Sequence, residues 1–348
     1  VPTITELDRF LESSVSRKRS DLIEQLLASE DHVRHFADLF DALMMGRVDE
    51  GKYAERVKHG WRSYLEDAIR RDRPWNEVAR EILLARPGNE SQRGAVWYLY
   101  ERNNQHQLIA EAVAPAFFGI RIECAQCHDH MSVDEIKQEH YWGLVAFFNR
   151  GKNHKSGQGL SVAESAVGGF AEFADLTGDS KPNLLTFIHA ETIAEPRPAA
   201  GEKQEDRDEL YRNSTIVGAP RIPLFSRRER FADDILAGHP LLTRAMVNRL
   251  RALMYGRGIV HPYDEMDSDH PPSHPDLLDW LASALEEHDF QLRPLLRAMA
   301  QSRAYQLSSL RPASTQDPAT FAWYLERPLT AEQLARSVQL VVRGSVAD

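Results

Sequence analysis

Apolar side chains recur at helical spacing along most of this chain, and that periodicity limits the possible fold more than any other feature. Residues 4, 7, 10 and 11 are apolar, and similar patterns follow through 22–27, 31–45, 61–73 and 75–83. Apolar positions three and four residues apart lie on one face of an α-helix and are buried together. Pro74 stands where a helix can begin, and Pro87-Gly88 stands where one ends. The first third therefore predicts a helix bundle.

A second helical region is predicted from residue 223 onward, with helices over 227–236, 240–255, 275–285 and 292–305. Gly256 follows the second of these helices, as glycine does just beyond a helix end. Ser273 is predicted to cap the helix that begins at Pro275, with Asp276 as its capping-box partner. Thr330 and Gln333 have the spacing of another capping box and predict a last helix.

The intervening residues have a different character. Glycine and proline are frequent from 151 to 213, and the short apolar pieces 170–173 and 184–188 predict strands. We expect this stretch to make few contacts and the charged residues 203–209 to form a solvated loop. The predicted fold is mainly α, with two helical lobes and a small β-containing insert between them. The predicted boundaries are 1–150, 151–222 and 223–348.

Length and composition exclude several classes of protein. A chain of 348 residues can form two domains with buried cores. The net charge of −10 argues against general nucleic-acid binding, which needs a basic face. There is no apolar run of 18 residues, so no transmembrane helix is predicted. Residues 1–9 do not form a signal peptide.

The chemistry of the chain is concentrated in one short motif. Its only two cysteines, Cys124 and Cys127, stand three residues apart, and His128 follows at once. The pattern C-x-x-C-H is typical of covalent attachment of a c-type haem. Thiols at this spacing can reach the two vinyl groups of one porphyrin, and the next imidazole is then held at the iron as proximal ligand. A dense apolar stretch, 95–119, precedes the motif, and an aromatic helix predicted over 133–150 follows it.

Other interpretations of the two cysteines stay open. Cys124, Cys127 and His130 could supply three ligands of a tetrahedral zinc site, with His140 as the fourth. A redox-active C-x-x-C pair usually follows a strand, whereas the flanking sequence here is helical. The cysteines could also be packed, or joined to each other, with no cofactor.

Two blocks of sequence resemble a known pair of families. The segments 122–130 and 140–150, which include C-A-Q-C-H-D-H and H-Y-W-G-L-V-A-F-F-N-R, resemble the planctomycete cytochrome c-like domain. The segments 246–249, 255–260, 271–281 and 302–306 resemble the planctomycete-specific domain that commonly follows it. Together the two blocks extend over most of the chain. The resemblance implies an exported haem protein whose biochemical activity the families do not specify.

An electron-transfer cytochrome needs a second axial ligand opposite the proximal histidine. The nearby candidates are His140, His130 and Met131. Family members often have proline where this chain has Met131, so that residue is either a local variation or an axial ligand. More distant candidates are His106, His154, His261, His274, Met246, Met254 and Met266. An open sixth position would favour ligand binding or oxidative chemistry over electron transfer.

The first hypothesis is a c-type haem protein that transfers electrons, or carries out a redox reaction, with an unidentified partner protein. The second is a non-haem helical scaffold, zinc-binding or purely structural, in an envelope or surface assembly. The first requires a periplasmic or otherwise exported location, because c-type haem is attached outside the cytoplasm. We therefore expect a leader before the given sequence, and we expect the last helix to continue beyond it.

Overall fold

The computed structural model describes residues 2–157, 159–199, 201–214, 216–313 and 317–343. The N-terminal region holds helices α1 (Ile4–Glu12), α2 (Lys18–Leu27), α3 (Glu30–Met45), α4 (Glu50–Lys58), α5 (Trp61–Arg70), α6 (Trp75–Leu84), α7 (Trp97–Tyr100), α8 (His106–Val113) and α9 (Gln138–Phe148). The C-terminal region holds α10 (Arg227–Arg230), α11 (Pro240–Tyr255), α12 (Pro275–Glu287), α13 (Leu292–Gln301) and α14 (Ala331–Arg343). The strands are β1 (Gly151–Ser156), β2 (Gly159–Glu164), β3 (Glu172–Ala174), β4 (Ser180–Pro182), β5 (Tyr211–Arg212) and β6 (Ile222–Pro223).

The predicted fold class is confirmed, because helices dominate and the strands lie between the two helical regions. The strands form three separate antiparallel pairs, β1 with β2, β3 with β4, and β5 with β6. In the longest pair Gly151 lies opposite Glu164. None of these small sheets could bury a core alone, so each depends on the helices beside it.

One continuous cluster of buried apolar side chains runs through both helical regions. Within it α3 packs against α5, α8 against α9, and α11 against α12. Helix α13 packs against α2, and α11 packs against the π-helical turn Ala114–Phe118 at the end of α8. The two lobes therefore share a core across the boundary between them.

The π-helical turn at the end of α8 has an identifiable cause. Pro115 has no backbone N–H and cannot make the usual bond to the preceding helical turn. Buried Arg249 of α11 donates to the carbonyl oxygens of Pro115 and Ala116 at 2.7 and 2.9 Å. The C-terminal region thus fixes the end of the helix that leads towards the cysteine motif.

Several details of the helix predictions differ from the structure. The helix predicted over 292–305 ends at Gln301, and the one predicted over 227–236 is α-helical only to Arg230 and continues as a π-helical turn to Leu236. The helix predicted over 133–150 begins only at Gln138, because the five residues before it close the loop that follows the motif. Ser273 does not cap α12; its hydroxyl and N–H both donate to the carbonyl oxygen of Ile259, and α12 has no side-chain cap. The capping box at Thr330 and Gln333 is confirmed, with bonds of 2.9 and 3.2 Å.

The strand predictions were partly wrong. Residues 170–173 overlap β3, but of 184–188 only Leu185 pairs, in an isolated bridge with Ile193. Residues 185–188 are buried as irregular chain, and the carbonyl oxygen of Ile188 is bonded by the side chain of His239 instead of a neighbouring strand. The β1–β2 hairpin was missed because residues 152–155 are all polar.

The expectation that the insert makes few contacts is also wrong. Glu164, at the end of β2, is buried and accepts hydrogen bonds from the Ser226 hydroxyl, the Arg227 N–H and Arg228 Nε. Gly143 of α9 lies so close to the insert that an added Cβ would stand 2.3 Å from the carbonyl oxygen of Thr186. The charged run 203–209 is exposed, as predicted.

Candidate functional site

The cysteine motif lies on a short 3₁₀ turn, Glu123–Gln126, that opens a surface loop leading to α9. Ile122 and Ala125 are fully buried and anchor the turn in the core. Cys124 and Cys127 are exposed and are not joined in a disulfide. The interpretation that they are packed or joined to each other therefore differs from the structure, in which both cysteines are exposed and free.

Side chains of α9 hold the turn from behind. The carbonyl oxygen of Gln126 accepts hydrogen bonds from Trp142 Nε1 at 3.1 Å and from Gln138 Nε2 at 3.3 Å. Gln138 is buried, and its amide also donates to the carbonyl oxygen of Ala174 in β3 at 2.9 Å. The ring of Trp142 stacks on Phe173, with the ring planes 8° apart. The motif, α9 and the β3–β4 hairpin are thereby fixed to one another.

The loop after the motif is closed by its own polar groups. Asp129 Oδ1 accepts the N–H of Gln138, the first residue of α9, at 2.8 Å. This places a carboxylate at the positive end of the helix dipole. The N–H of His130 donates to the carbonyl oxygen of Ile136 at 2.9 Å. Asp129 therefore has a structural role as the cap of α9.

His128 is held in the tautomer that metal binding requires. Its Nδ1 lies 2.6 Å from the carbonyl oxygen of Asp129, which can only accept, so Nδ1 carries the proton. In the neutral ring the lone pair is then on Nε2, which has no hydrogen-bond partner within the described chain. A hydrogen bond from Nδ1–H to a backbone carbonyl is the usual support of a ligating imidazole.

His130 and His140 are held in the opposite tautomer. Nδ1 of His130 accepts the N–H of Val133 at 3.1 Å, and Nδ1 of His140 accepts the N–H of Lys137 at 3.1 Å. In each neutral ring the proton therefore lies on Nε2, which cannot act as a ligand in that form. Burial lowers the pKa of His140 and keeps its ring neutral. Either residue would have to give up a backbone hydrogen bond before binding a metal through Nε2.

A cleft of about 480 Å³ lies beside His128, between the loop and the β3–β4 hairpin. Three of its lining residues are apolar, namely Met131, Phe173 and Leu176. Met131 is 90% exposed and Leu176 is 79% exposed, which is unusual for large apolar side chains. Of the three nearby candidates for a second axial ligand, Met131 shares this cleft with His128, whereas His130 and His140 do not line it.

The zinc ligands predicted from the sequence are not brought together. In the part of the chain that the structure describes, no group of three or more His, Cys, Asp or Glu side chains is arranged to hold a metal ion. The same residues include no helix that is both long and apolar enough to cross a bilayer.

Several residues of the site gave no signal in the sequence. Gln138 looks like a surface residue at the start of a helix, and Leu176 lies in a segment interpreted as part of the insert. Both belong to the site because α9 and the β3–β4 hairpin fold against the motif, and such long-range contacts have no local pattern. The aromatic residues of 133–150 were the only indication in the sequence that this segment lies near the motif. The hydrogen bond from Trp142 to the Gln126 carbonyl oxygen shows that it contacts the motif.

Comparison with known families gives two matches. The model described as PSCyt2, a protein of unknown function (DUF1549), matches residues 1–153, and the model described as PSD1, a protein of unknown function (DUF1553), matches residues 227–347. Searches of curated proteins and of solved structures found no match.

Proposed function

From the match of residues 1–153 to PSCyt2 and of residues 227–347 to PSD1, the planctomycete pair expected from the sequence, we propose that the chain carries one covalently attached c-type haem. Cys124 and Cys127 would form the two thioether bonds, and His128 would bind the iron through Nε2. The name PSCyt2 refers to a cytochrome-like domain but specifies no haem. The proposal therefore depends on the residues of the motif.

The tautomer of His128 is the observation that carries the proposal. A histidine with no ligand role could donate or accept at either nitrogen, yet here Nδ1 donates to the Asp129 carbonyl and Nε2 is left with a lone pair. The thiols on the same turn are exposed and unbonded. Both features support the proposal, because attachment needs accessible thiols and a lone pair on Nε2 for the iron.

A bound haem would supply reversible one-electron chemistry at its iron. The chain would then contribute orientation and shielding. The Asp129 carbonyl holds the His128 ring, and Gln138 and Trp142 hold the Gln126 carbonyl so that the turn keeps its shape. The exposed apolar side chains of Met131 and Leu176 would lose their contact with water against an apolar macrocycle.

Electron transfer to or from a partner protein is the function we assign to this site, in a periplasmic or otherwise exported location. Export is required by the chemistry of attachment, because the machinery that forms the thioether bonds works outside the cytoplasm. Exposure of the motif loop supports the assignment, since a partner could approach the haem from that side.

Zinc binding or a purely structural role is the alternative. A zinc site built from Cys124, Cys127, His130 and His140 would need both histidines to exchange a backbone hydrogen bond for the metal. The described residues hold no preformed group of that kind. The haem proposal requires no such exchange, and we prefer it for that reason.

The test is to produce the full chain, exported, in a bacterial host with the c-type maturation system. We expect one haem per chain that stays attached after denaturation and acid extraction, measured as the pyridine haemochrome. Replacing both cysteines (Cys124→Ser with Cys127→Ser) should abolish covalent attachment. His128→Ala should remove the proximal ligand and change the absorption spectrum of any haem still attached.

His288→Ala is the matched control, because this exposed histidine lies at the end of α12, away from the motif. It should leave haem content unchanged. Colourless wild-type protein with about one zinc per chain would overturn the proposal in favour of the alternative. Covalent haem that persists without the two cysteines would overturn the attachment site.

A further inference from the structure

A second cleft, of about 800 Å³, lies on the insert and shares no lining residue with the cleft beside His128. It is bounded by the start of α8, the end of α9, the β1–β2 hairpin and residues 206–221. Its size is that of a site for a small organic molecule and exceeds what a single ion needs.

Buried arginines stand behind this cleft. Arg150, which lines it, and Arg227 share one carboxylate, Glu195, at 2.9 and 2.6 Å. Arg86 and Arg228 share another, Glu164, at 2.5 and 3.3 Å. A third carboxylate, Glu229, bonds Arg86 and the more exposed Arg212. In the described chain this cluster joins five guanidinium groups to three carboxylates, which leaves an excess of two positive charges.

An excess of buried positive charge is costly unless a counter-charge approaches it. Burial and the charge of Arg227 lower the pKa of Arg150 to about 10, although Glu195 and Glu164 act in the opposite direction. Burial and the charge of Arg86 likewise lower the pKa of Arg228 to about 10. Arg150 and Glu164 are the members of this arginine cluster that line the cleft, and the cluster as a whole has two more guanidinium groups than carboxylates.

The rim of the cleft adds the ammonium group of Lys152 and the imidazole of His154. Lys152 and His154 lie two residues apart on β1 and both line the cleft, and neither makes a hydrogen bond or ion pair within the described residues. The exposed carboxylate of Asp206, also at the rim, lies 4.0 Å from Arg221, which is bonded more closely to Asp208. Among the charged residues that line the cleft, three are basic (Arg150, Lys152 and Arg221) and two are acidic (Glu164 and Asp206), an excess of one positive charge in a protein whose total charge is −10.

We propose that this cleft binds a small organic anion, a carboxylate, sulfate or phosphate carried on a hydroxyl-bearing molecule. The anionic group would approach Lys152 and the buried guanidinium of Arg150, where charge-assisted hydrogen bonds are strongest. The remainder of the molecule would meet the polar side chains of Asn104, Asn149, Ser165 and Tyr211, which also line the cleft. The proposal does not depend on haem.

Isothermal titration calorimetry at low ionic strength tests the proposal, with sodium sulfate, sodium phosphate and sodium glucuronate as probes and glucose as the uncharged comparison. We expect saturable binding of at least one anion and none of glucose. Glucuronate binding tighter than both inorganic ions would identify the ligand as an organic acid, whereas the reverse order would identify a sulfate or phosphate ester. Lys152→Gln should weaken the anion about fivefold or more.

Lys155→Gln is the matched control, because Lys155 is an exposed lysine of the same strand that does not line the cleft. It should leave affinity unchanged. No heat with any of the three anions would overturn the proposal, and so would an equal loss of affinity in both lysine variants. Repeating the titration on protein with both cysteines replaced separates this result from the haem experiment, since binding should be unaffected.

Discussion

At the scale of single residues, hydrogen-bond partners decide which histidine can do chemistry. His128 donates from Nδ1 to a carbonyl and keeps a lone pair on Nε2, whereas His130 and His140 accept backbone N–H groups at Nδ1. Buried His239 is a fourth case. Its Nε2 donates to the carbonyl oxygen of Ile188 at 2.8 Å, and its Nδ1 accepts the N–H of Leu241 at the start of α11. Both nitrogens are used, so its role is structural.

Because His239 is buried, we expect the protein to lose stability in mild acid. Burial lowers its pKa from 6.5 to about 4. Between these values the unfolded chain binds a proton that the folded protein excludes, so stability is full above the unfolded pKa and falls as pH decreases. From pH 7 to pH 5 the free energy of unfolding should fall by roughly 2 kcal/mol through His239. Urea titrations at several pH values would measure this slope.

His239→Asn is the informative variant, because its amide oxygen can still accept the Leu241 N–H but does not titrate. We expect it to be less stable at pH 7 and to lose less stability on acidification. The free energy of unfolding of this variant should still depend on pH, because burial also lowers the pKa of His32 to about 4. An unchanged slope in His239→Asn would contradict the argument.

At the scale of elements, α9 connects both clefts. Its first turn holds the motif through Gln138 and Trp142. Its end binds the arginine cluster, with Asn149 Oδ1 accepting from Arg227 at 2.8 Å and Arg150 paired with Glu195. Residues 140–150, which carry the family likeness, therefore help to hold the fold around the motif. They have this structural role whether or not they touch a cofactor.

Gly143, in the middle of α9, should not tolerate a side chain. Alanine normally stabilises a helix interior relative to glycine by about 1 kcal/mol. Here its Cβ would lie 2.3 Å from the Thr186 carbonyl oxygen, so the insert must shift. We expect Gly143→Ala to lower the free energy of unfolding by about 1–3 kcal/mol, measured by urea denaturation.

Gly51→Ala gives the opposite expectation in an exposed helix. The added Cβ in α4 would meet only Asp49 Oδ1, at 3.3 Å, an exposed oxygen that caps the helix by accepting the Lys52 N–H and can shift slightly. Its effect should be neutral or stabilising by up to about 1 kcal/mol. Equal effects of the two substitutions would show that the approach of the insert to α9 is not what requires glycine.

At the scale of the whole molecule, the C-terminal region supports the motif from a distance. Arg249 fixes the turn before it, and Glu135, in the loop after it, accepts from the N–H and hydroxyl of Ser268 at 2.8 and 2.9 Å. Asp72, after α5, accepts the N–H groups of Leu292 and Arg293 at 3.1 and 3.0 Å and so caps α13. These bonds join sequence segments more than 100 residues apart.

Because the core is shared, the described regions should unfold together. Asp72→Gly removes the cap of α13 without straining the backbone, which has a φ of +50° at this position. We expect the free energy of unfolding to fall by about 1–2 kcal/mol. Denaturation curves followed by circular dichroism and by tryptophan fluorescence should show the same decrease. Asp72→Asn keeps an acceptor oxygen and should therefore lower the free energy of unfolding less than Asp72→Gly does. Two separate transitions would contradict a single cooperative unit.

Local sequence signals were enough to predict the helices and the cysteine–histidine motif at the centre of the site. Periodic apolar residues, proline starts and the Thr330 capping box are local signals, because a helix satisfies its backbone within a few residues of chain. The spacing of Cys124, Cys127 and His128 is equally local. The way Gln138 and Leu176 reach the motif, and the way buried arginines gather behind the insert, could be read only from the tertiary structure. Those features depend on contacts between distant segments, which packing selects and no local pattern encodes.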